Sequence, residues 1–439
     1  MSTGEPWSAP AAPGALQAVC PLPGSKSESN RALVLAALAD APSTLIGLLA
    51  ARDTELMIAA LRALGVRIDI PLDATEHIVR VAPPAHFTPC PEGIDCGLAG
   101  TVMRFVPPIA ALAGGRSYFF GDPHATQRPM SPLLDGLAQL GVQLDNDALP
   151  FTMDSPAQLG GPRVQIDSST SSQFISALLL TAARLPAGID LVHRGATVPS
   201  LPHIEMTVAM LRSRGVQVDD SEQGRWRVAP GPIAARDQRI EPDLTNAAVF
   251  LAAGVLSGGQ VTVPAWPART TQPGALIADI LRRMGATAEL TDDGLTAYAP
   301  GELHGAEIDL HEASELTPVV AGLAAFASGP TTISGVAHIR GHETDRLAAI
   351  EAELSSVGIE VHQTADGLVI HGAGPRGAGL APTRVLRAYA DHRLAHLAAL
   401  IGLIVPGVQL DDIGSVSKTM PDFVSRWQRM LDETQDAVR

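Results

Sequence analysis

Two hydrophobic patterns alternate along the chain. One is an amphipathic helix that ends in Gly and an apolar residue, followed by a short strand of alternating character. It occurs at Leu64-Gly65-Val66, Leu140-Gly141-Val142, Arg214-Gly215-Val216, Met284-Gly285-Ala286 and Val357-Gly358-Ile359. These glycines lie 76, 74, 70 and 73 residues apart. Gly there suits a helix C-cap, and Val66-Arg67-Ile68-Asp69-Ile70 suits the strand that follows. The other pattern is an Ala/Leu-rich helix opened by polar residues and closed by a turn and an apolar strand. Its six copies start near Asn30, Met103, Gln173, Asn246, Thr317 and His392, spaced 73, 70, 73, 71 and 75 apart. Helices such as 246–254 and 317–327 are apolar on most faces and predict burial; 54–64 and 345–354 predict one buried face.

A period near 73 residues divides the chain into six small α/β units. Three such units make roughly 215 residues, a comfortable domain. The midpoint falls near the polar stretch Arg236-Asp237-Gln238-Arg239. Two domains of three units each follow from the pattern.

Composition narrows the class. With 46% hydrophobic and 18% charged residues, the 439-residue chain reads as globular. A net charge of −15 argues against a nucleic-acid-binding surface. The best apolar stretch, 397–405, is too short to span a membrane and is bounded by His396 and Pro406. Residues 1–14 are rich in Ala, Pro and Ser without the basic and apolar parts of a signal peptide, and predict a loose tail. Cys20, Cys90 and Cys96 have no CxxC spacing, so neither a disulfide framework nor a zinc site is expected. A cytoplasmic protein with free thiols fits. Of thirty-one Lys and Arg residues only two are lysines, Lys26 and Lys418, and both stand between hydroxyl residues. Lys can give up a proton when desolvated and Arg in practice cannot, which makes both lysines candidates for chemistry.

The unusual polar residues cluster just before helices. They are Lys26 to Arg31, Gly97 to Arg104, Arg128-Pro129, Ser168 to Gln173, Glu343-Thr344-Asp345-Arg346, Asp391-His392-Arg393 and Lys418-Thr419-Met420-Pro421. A helix start offers unpaired N–H groups and partial positive charge; Lys, Arg and Ser added there make a receptor for phosphate or carboxylate. Each piece has a plainer reading. Ser or Thr before a helix is commonly an N-cap. Gly24-Ser25-Lys26-Ser27 lacks the spacing of a P-loop. Asp391-His392-Arg393 alone suits a surface salt bridge, and Glu343 to Arg346 a capping motif with an i,i+3 ion pair. Repeated at corresponding places of a six-fold pattern, they point to a site for strongly anionic small molecules between the two domains.

These segments resemble the 3-phosphoshikimate 1-carboxyvinyltransferase (EPSP synthase) family from about Pro21 to Trp427. The resemblance is carried by Pro23-Gly24-Ser25-Lys26-Ser27 with Asn30-Arg31, Ala99-Gly100-Thr101 with Met103-Arg104, Arg128-Pro129, Ser171-Ser172-Gln173-Phe174, Glu343 to Leu347, Asp391-His392-Arg393 and Lys418-Thr419. It implies an α/β fold, a two-domain inside-out α/β barrel of six repeated units, three per domain. It also implies that the N-terminal strand joins the C-terminal half, giving domains of 24–238 and of 1–23 with 239–439.

The implied reaction moves the enolpyruvyl group of phosphoenolpyruvate to the 5-hydroxyl of shikimate 3-phosphate and releases phosphate, with no metal and no cofactor. By position, the resemblance assigns phosphoenolpyruvate to Lys26, Gly100, Arg128, Gln173, Arg346, Arg393 and Lys418. It assigns shikimate 3-phosphate to Lys26, Ser27, Arg31, Ser171, Ser172, Gln173, Ser200, Glu315 and His342. Glu343 is then the acid that protonates the methylene carbon, Glu315 the base that takes the hydroxyl proton, and Lys26 shares in either transfer. A methyl group at Gly100 crowds the phosphate of phosphoenolpyruvate and of its inhibitor mimic glyphosate. The chain departs from the family's usual Asp at Glu315, Lys at His342, Asn at His338, Tyr at His203 and Asn at Leu98. His342 in place of Lys predicts a pH-dependent contact. A monomer is expected, with small-molecule substrates and neither nucleic-acid nor membrane partners.

Two alternatives have distinct signatures. The sister enzyme acting on UDP-N-acetylglucosamine usually carries a Cys acid in the loop before the Arg-Pro pair and Lys-Asn where this chain has Lys26-Ser27; the loop Gly121 to Arg128 has no Cys. A non-catalytic anion-binding or ring-forming repeat protein is permitted by six α/β units alone; the intact set Lys26, Glu315, Glu343 and Lys418 argues against it. A P-loop kinase lacks its motif.

Overall fold

The computed structural model describes residues 5–71, 77–375 and 377–438. Twelve helices run through them, two for each repeat of the sequence. The first six are α1 (Lys26–Ala37), α2 (Arg52–Ala63), α3 (Gly100–Ala111), α4 (Ser131–Gln139), α5 (Gln173–Ala182) and α6 (Pro202–Arg212). The second six are α7 (Leu244–Leu256), α8 (Ile277–Arg283), α9 (Thr317–Ala325), α10 (Arg346–Ser356), α11 (His392–Ile404) and α12 (Phe423–Val438). None is long and apolar enough to cross a membrane. The chain forms two compact units, one of residues 24–241 and one of 1–23 with 242–439.

Each unit has its own apolar core. In the unit 24–241, α1, α3 and α5 pack against one another, and α2, α4 and α6 flank them. In the other unit α7, α9 and α11 pack together in the same way. The inner helices are the Ala/Leu-rich ones: every residue of α3 and α9 is buried. Small side chains let these helices sit inside a ring of others with no face left for water.

Five repeats carry a four-stranded sheet of one pattern, in which an edge strand runs parallel to the second and the rest are antiparallel. Arg163–Ile166 pairs in parallel with Ile189–His193, which is antiparallel to Arg225–Val228, itself antiparallel to Val218–Asp219. In the second, third and fifth repeats the edge strand is the segment just before the inner helix. In the first and fourth these segments are exchanged. Gln17–Val19, before α1, pairs with Gln260–Val263 of the fourth repeat; Gln238–Arg239, before α7, pairs with Ser43–Ile46 of the first. Residues 239–241 therefore go with the unit that begins at Gly24.

The expected loose tail over 1–14 is corrected from Trp7 onward; residues 1–4 lie outside the described residues. Trp7–Ser8 pairs with Gln409–Leu410, Ala9 N donates to Val408 O at 3.0 Å, and Ala12 N donates to Leu403 O at 2.9 Å. Ala-rich composition reads as tail in a sequence, but here small size is what is needed. A Cβ on Gly402 of α11 would come within 2.3 Å of the Ala9 methyl, so the two segments are in close contact.

The five Gly junctions share one cap. Gly65, Gly141, Gly215, Gly285 and Gly358 have φ of +94°, +98°, +79°, +90° and +98°. At each, the residue after Gly donates its N–H to a Leu carbonyl five residues back, as Val66 to Leu61 and Ile359 to Leu354, both at 3.1 Å. Gly itself donates to the carbonyl three residues back, as Gly65 to Arg62 at 2.9 Å. The apolar residue after Gly meets that Leu, which closes the helix and starts the strand. At Gly215 an added Cβ meets nothing within 4 Å, so only the left-handed backbone opposes a side chain there. Gly215→Ala is expected to cost about 1 kcal/mol, read as a lower urea midpoint; an unchanged midpoint would show that the cap tolerates Ala.

Candidate active site

In the unit 24–241 the candidate residues stand at the starts of the inner helices. Ser25 caps α1, its Oγ accepting from Glu28 N at 3.4 Å. Lys26 is the first helical residue, and its Nζ lies 3.6 Å from Asp53 Oδ2 in the first turn of α2. Residues four apart share a helix face, so Lys26 goes with Asn30 and Ser27 with Arg31. Asn30 Nδ2 donates to Thr101 Oγ1 at 2.8 Å, which turns the Lys26 face toward the start of α3. Ser27 Oγ is 3.5 Å from His203 Nε2 in α6, just after the turn that holds Ser200 at φ +53°.

Arg31 is buried, and the acceptors it meets are neutral. Its Nε donates to Thr207 Oγ1 (2.8 Å), Nη1 to Ser27 O (3.0 Å), and Nη2 to Ser176 Oγ (3.2 Å) and His203 O (3.0 Å). Burial lowers its pKa to about 9, which leaves it charged at neutral pH. A charge met by dipoles and not by a carboxylate keeps its positive field. Gly100 opens α3 where three long side chains converge. A Cβ there would stand 3.1 Å from Arg128 Nη2, 3.1 Å from Gln173 Oε1 and 3.2 Å from Arg104 Nη1. Arg128 Nη1 donates to Leu98 O at 3.1 Å and Arg104 Nη2 to Pro129 O at 2.7 Å. Gln173 is the first residue of α5, and Ser171 Oγ accepts from its N–H at 3.2 Å; Ser172 beside it is buried. Gln173 Oε1 and Arg128 Nε have no hydrogen-bond partner among the described residues.

In the unit that contains 242–439 the candidates form one network around Arg346, the first residue of α10. This guanidinium is wholly buried. It donates from Nε to Asp391 Oδ2 (2.6 Å) and from Nη1 to Glu315 Oε2 (3.0 Å). Its Nη2 donates to Glu343 Oε2 (2.9 Å), and Nη1 lies 3.1 Å from His342 Nδ1. Lys418 Nζ pairs with Glu343 Oε1. Arg393, in the first turn of α11, donates to Glu315 Oε2 (3.3 Å) and to Asn246 Oδ1 of α7 (2.8 Å). The plainer readings hold alongside this one: Asp345 caps α10 by accepting from Ala348 N at 3.1 Å, and Glu343–Arg346 is an i,i+3 pair. Asp391–Arg393 is no surface bridge, since both are buried.

Three cations and three carboxylates thus balance in this network. Burial alone raises the Glu315 carboxyl, but the charges facing it, Arg346 foremost, outweigh it and hold the group well below the usual carboxylate range. Burial, then the Arg346 charge, lowers His342 to about 3; burial lowers His338 to about 4. The His342 ring is therefore neutral at neutral pH. With Nδ1 facing an Arg346 N–H, its proton sits on Nε2, so the ring offers a neutral donor where a Lys would offer a charge.

Sequence reasoning gave no site role to four residues that set this geometry. Asp53 holds Lys26, Arg104 crowds Gly100, Asn246 holds Arg393, and Asp391 neutralises Arg346. Three lie in the first turn of a helix or at its cap and Arg104 just beyond it, so the signal was present, but nothing in the pattern said which polar residues there face inward. Among the described residues no group of His, Cys, Asp and Glu is arranged to hold a metal.

The fold is shared with solved structures of an EPSP synthase and of an enolpyruvyl transferase. EPSP synthase from Acinetobacter baumannii matches the fold with a TM-score of 0.75 at 22% identity, over 96% of this chain and 97% of that one. The enolpyruvyl transferase NikO from Streptomyces tendae matches with a TM-score of 0.70 at 20% identity, over 96% of each chain. The family model of EPSP synthase (3-phosphoshikimate 1-carboxyvinyltransferase) matches residues 10–427. A 3-phosphoshikimate 1-carboxyvinyltransferase of Mycobacterium ulcerans (strain Agy99) is 48% identical over 439 residues, 98% of this chain and 99% of that one. The chain belongs to the EPSP synthase family.

The lowered histidines make stability depend on pH. Unfolded, both protonate near 6.5; folded, they resist until about 4 and 3. The unfolded state therefore binds more protons below about 6.5, and stability falls as pH drops from 7 toward 4. Urea midpoints at pH 7 and 5 should differ less in a His338→Asn/His342→Asn variant than in the wild type. An equal difference would show that these rings titrate normally in the fold.

Proposed function

We propose that the protein transfers the enolpyruvyl group of phosphoenolpyruvate to the 5-hydroxyl of shikimate 3-phosphate, in the shikimate pathway to chorismate and the aromatic amino acids. It gives 5-enolpyruvylshikimate 3-phosphate and phosphate, and acts as a cytoplasmic monomer without a cofactor. The observation that carries this reading is the Arg346 network, which holds three carboxylates and three cations in reach of one another in a chain of this family.

The chemistry explains the residue types. The substrate's 5-oxygen adds to C2 of phosphoenolpyruvate; its proton goes to Glu315, while C3 takes a proton from Glu343. The adduct then collapses: the C2–O bond to phosphate breaks, C3 gives back a proton, and phosphate leaves with the other. Lys418, paired with Glu343, is placed to supply the proton that Glu343 delivers. A carboxylate held well below its usual pKa is a weak base. The anionic groups of phosphoenolpyruvate compete for Arg346 and Arg393, and this returns basicity to Glu315 when substrate is bound. Lys26, Gly100, Arg128 and Gln173 complete the phosphoenolpyruvate contacts, with Arg128 Nε and Gln173 Oε1 lacking a partner among the described residues. Ser27, Ser171, Ser172, Gln173 and Ser200 take shikimate 3-phosphate by hydrogen bonds, with His342 a neutral donor. Arg31 contributes mainly by its field and by holding α5 and α6, because protein acceptors already engage its nitrogens. The UDP-N-acetylglucosamine reading lacks an acid: loop 121–128 has no Cys, and burial raises the Cys96 thiol to about 12.

Phosphate release from phosphoenolpyruvate tests the reading. It should require shikimate 3-phosphate, and release driven by UDP-N-acetylglucosamine instead would overturn it. Lys26→Arg keeps the charge but not the transferable proton, and should cut turnover by at least about 10²-fold; near-normal turnover would remove Lys26 from the chemistry. Lys418→Arg is expected to be the milder loss. Gly100→Ala displaces Arg128 and Gln173, and should raise KM for phosphoenolpyruvate by about 10-fold, equivalent to about 1.4 kcal/mol, with KM for shikimate 3-phosphate little changed.

A further inference from the structure

Two adjacent residues of the turn before α11, Tyr389 and Ala390, hold φ of +55° and +54°, and neither is Gly. Such backbone is costly and persists only where the surroundings over-determine it. The next residue is Asp391, the buried partner of Arg346 and the cap of α11, whose Oδ1 accepts from Arg393 N at 2.8 Å. The turn is thus what delivers Asp391 to its two arginines.

What holds the turn is Glu353. It lies seven residues after Arg346 on α10, hence on the same helix face, and is 2% exposed. Its carboxylate takes the Arg384 guanidinium on both oxygens, Nη1 to Oε2 and Nη2 to Oε1, each at 2.9 Å. Oε2 also accepts from Arg387 N at 3.1 Å and Oε1 from Tyr389 OH at 2.7 Å. One buried carboxylate therefore fixes three points of the segment 384–389, and Arg346 fixes its end at Asp391. Four hydrogen bonds fill the acceptor sites of this carboxylate, and all four come from one short segment.

We propose that Glu353 is a positioning residue for the phosphoenolpyruvate site: it clamps the strained turn at Tyr389–Ala390 onto α10 and so sets Asp391, and through Asp391 the orientation of the Arg346 guanidinium and the backbone start of α11 that carries Arg393. The inference rests on the assignment of those two arginines to phosphoenolpyruvate. The functional groups of Glu353 and Tyr389 face the clamp, and neither belongs to the reacting set.

Glu353→Gln keeps the shape and removes the charge; Tyr389→Phe removes a single hydroxyl and leaves the core intact. Two measurements on both variants test the clamp. Steady-state kinetics should show KM for phosphoenolpyruvate raised about 10-fold in Glu353→Gln and 3-fold or so in Tyr389→Phe, with KM for shikimate 3-phosphate and kcat within about 2-fold. Amide hydrogen exchange should be faster at 388–394 and unchanged in α7 and α9. A purely structural role lowers the active fraction, and so kcat, while leaving both KM values alone; that result, or unchanged exchange at 388–394, overturns the proposal. Should Glu353→Gln fail to fold, Tyr389→Phe decides by the same criteria. A wild-type protein that releases no phosphate overturns the transfer reading itself, while the exchange comparison still judges the clamp.

Discussion

The buried guanidinium of Arg346 is the charge around which the candidate residues of its unit are organised. A cation removed from water is tolerated only where carboxylates and hydrogen bonds replace the lost solvation. Arg346 meets Asp391, Glu315 and Glu343, each through hydrogen bonds of 2.6 to 3.0 Å, together with the His342 ring. That one requirement fixes the starts of α10 and α11 relative to the short turn Ser314–Leu316 before α9. It places two carboxylates at defined positions and keeps Glu315 ionised. It also suppresses protonation of His342. Bidentate and forked contacts of this kind need a planar guanidinium, which is why Lys could not take its place.

The two clusters of candidate residues differ in how their charge is met. Around Arg346 the cations are matched by carboxylates, which gives groups able to move protons. Around Arg31 the acceptors are hydroxyls and carbonyls, which leaves the positive field in place. The first arrangement suits chemistry and the second suits holding a phosphate. Both draw on the same device, polar residues at the starts of helices, where N–H groups are unpaired and the dipole is positive. Repetition of one α/β unit supplies two such starts per repeat, and each has been given different side chains.

The exchange of edge strands shows how a repeat becomes two units. Gln17–Val19 and Gln238–Arg239 occupy corresponding places ahead of α1 and α7, yet each completes the sheet of the other's repeat. A four-stranded sheet accepts any short strand of the right alternation at its open edge, since the pairing is between backbones. Sequence pattern marks both segments only as strands; which edge each one fills depends on where the chain has already folded.

Much of the fold was readable in the sequence because it rests on local rules. The Gly junctions appear in the sequence as helix stops because a left-handed residue followed by an apolar one closes a helix whatever surrounds it. The Ala/Leu helices appear as buried because they have no polar face. The motif residues could be named from their order and spacing. The tail misread at Trp7 to Ala12 shows the limit: small, weakly patterned residues carry no local signal, and only the small residues of α11 make a place for them. Asp53, Asn246 and Asp391 show it again, since a polar side chain at a helix start reads the same whether it faces water or an arginine. Glu353 is the clearest case, an unremarkable acidic residue of an amphipathic helix until the turn at Tyr389 is brought against it. The sequence alone determined the repeat, the helices, their caps and the type of chemistry, all of which follow from neighbours within a few residues. Tertiary structure alone decided which charges pair and which histidines stay neutral, because burial and distance between remote segments set those energies.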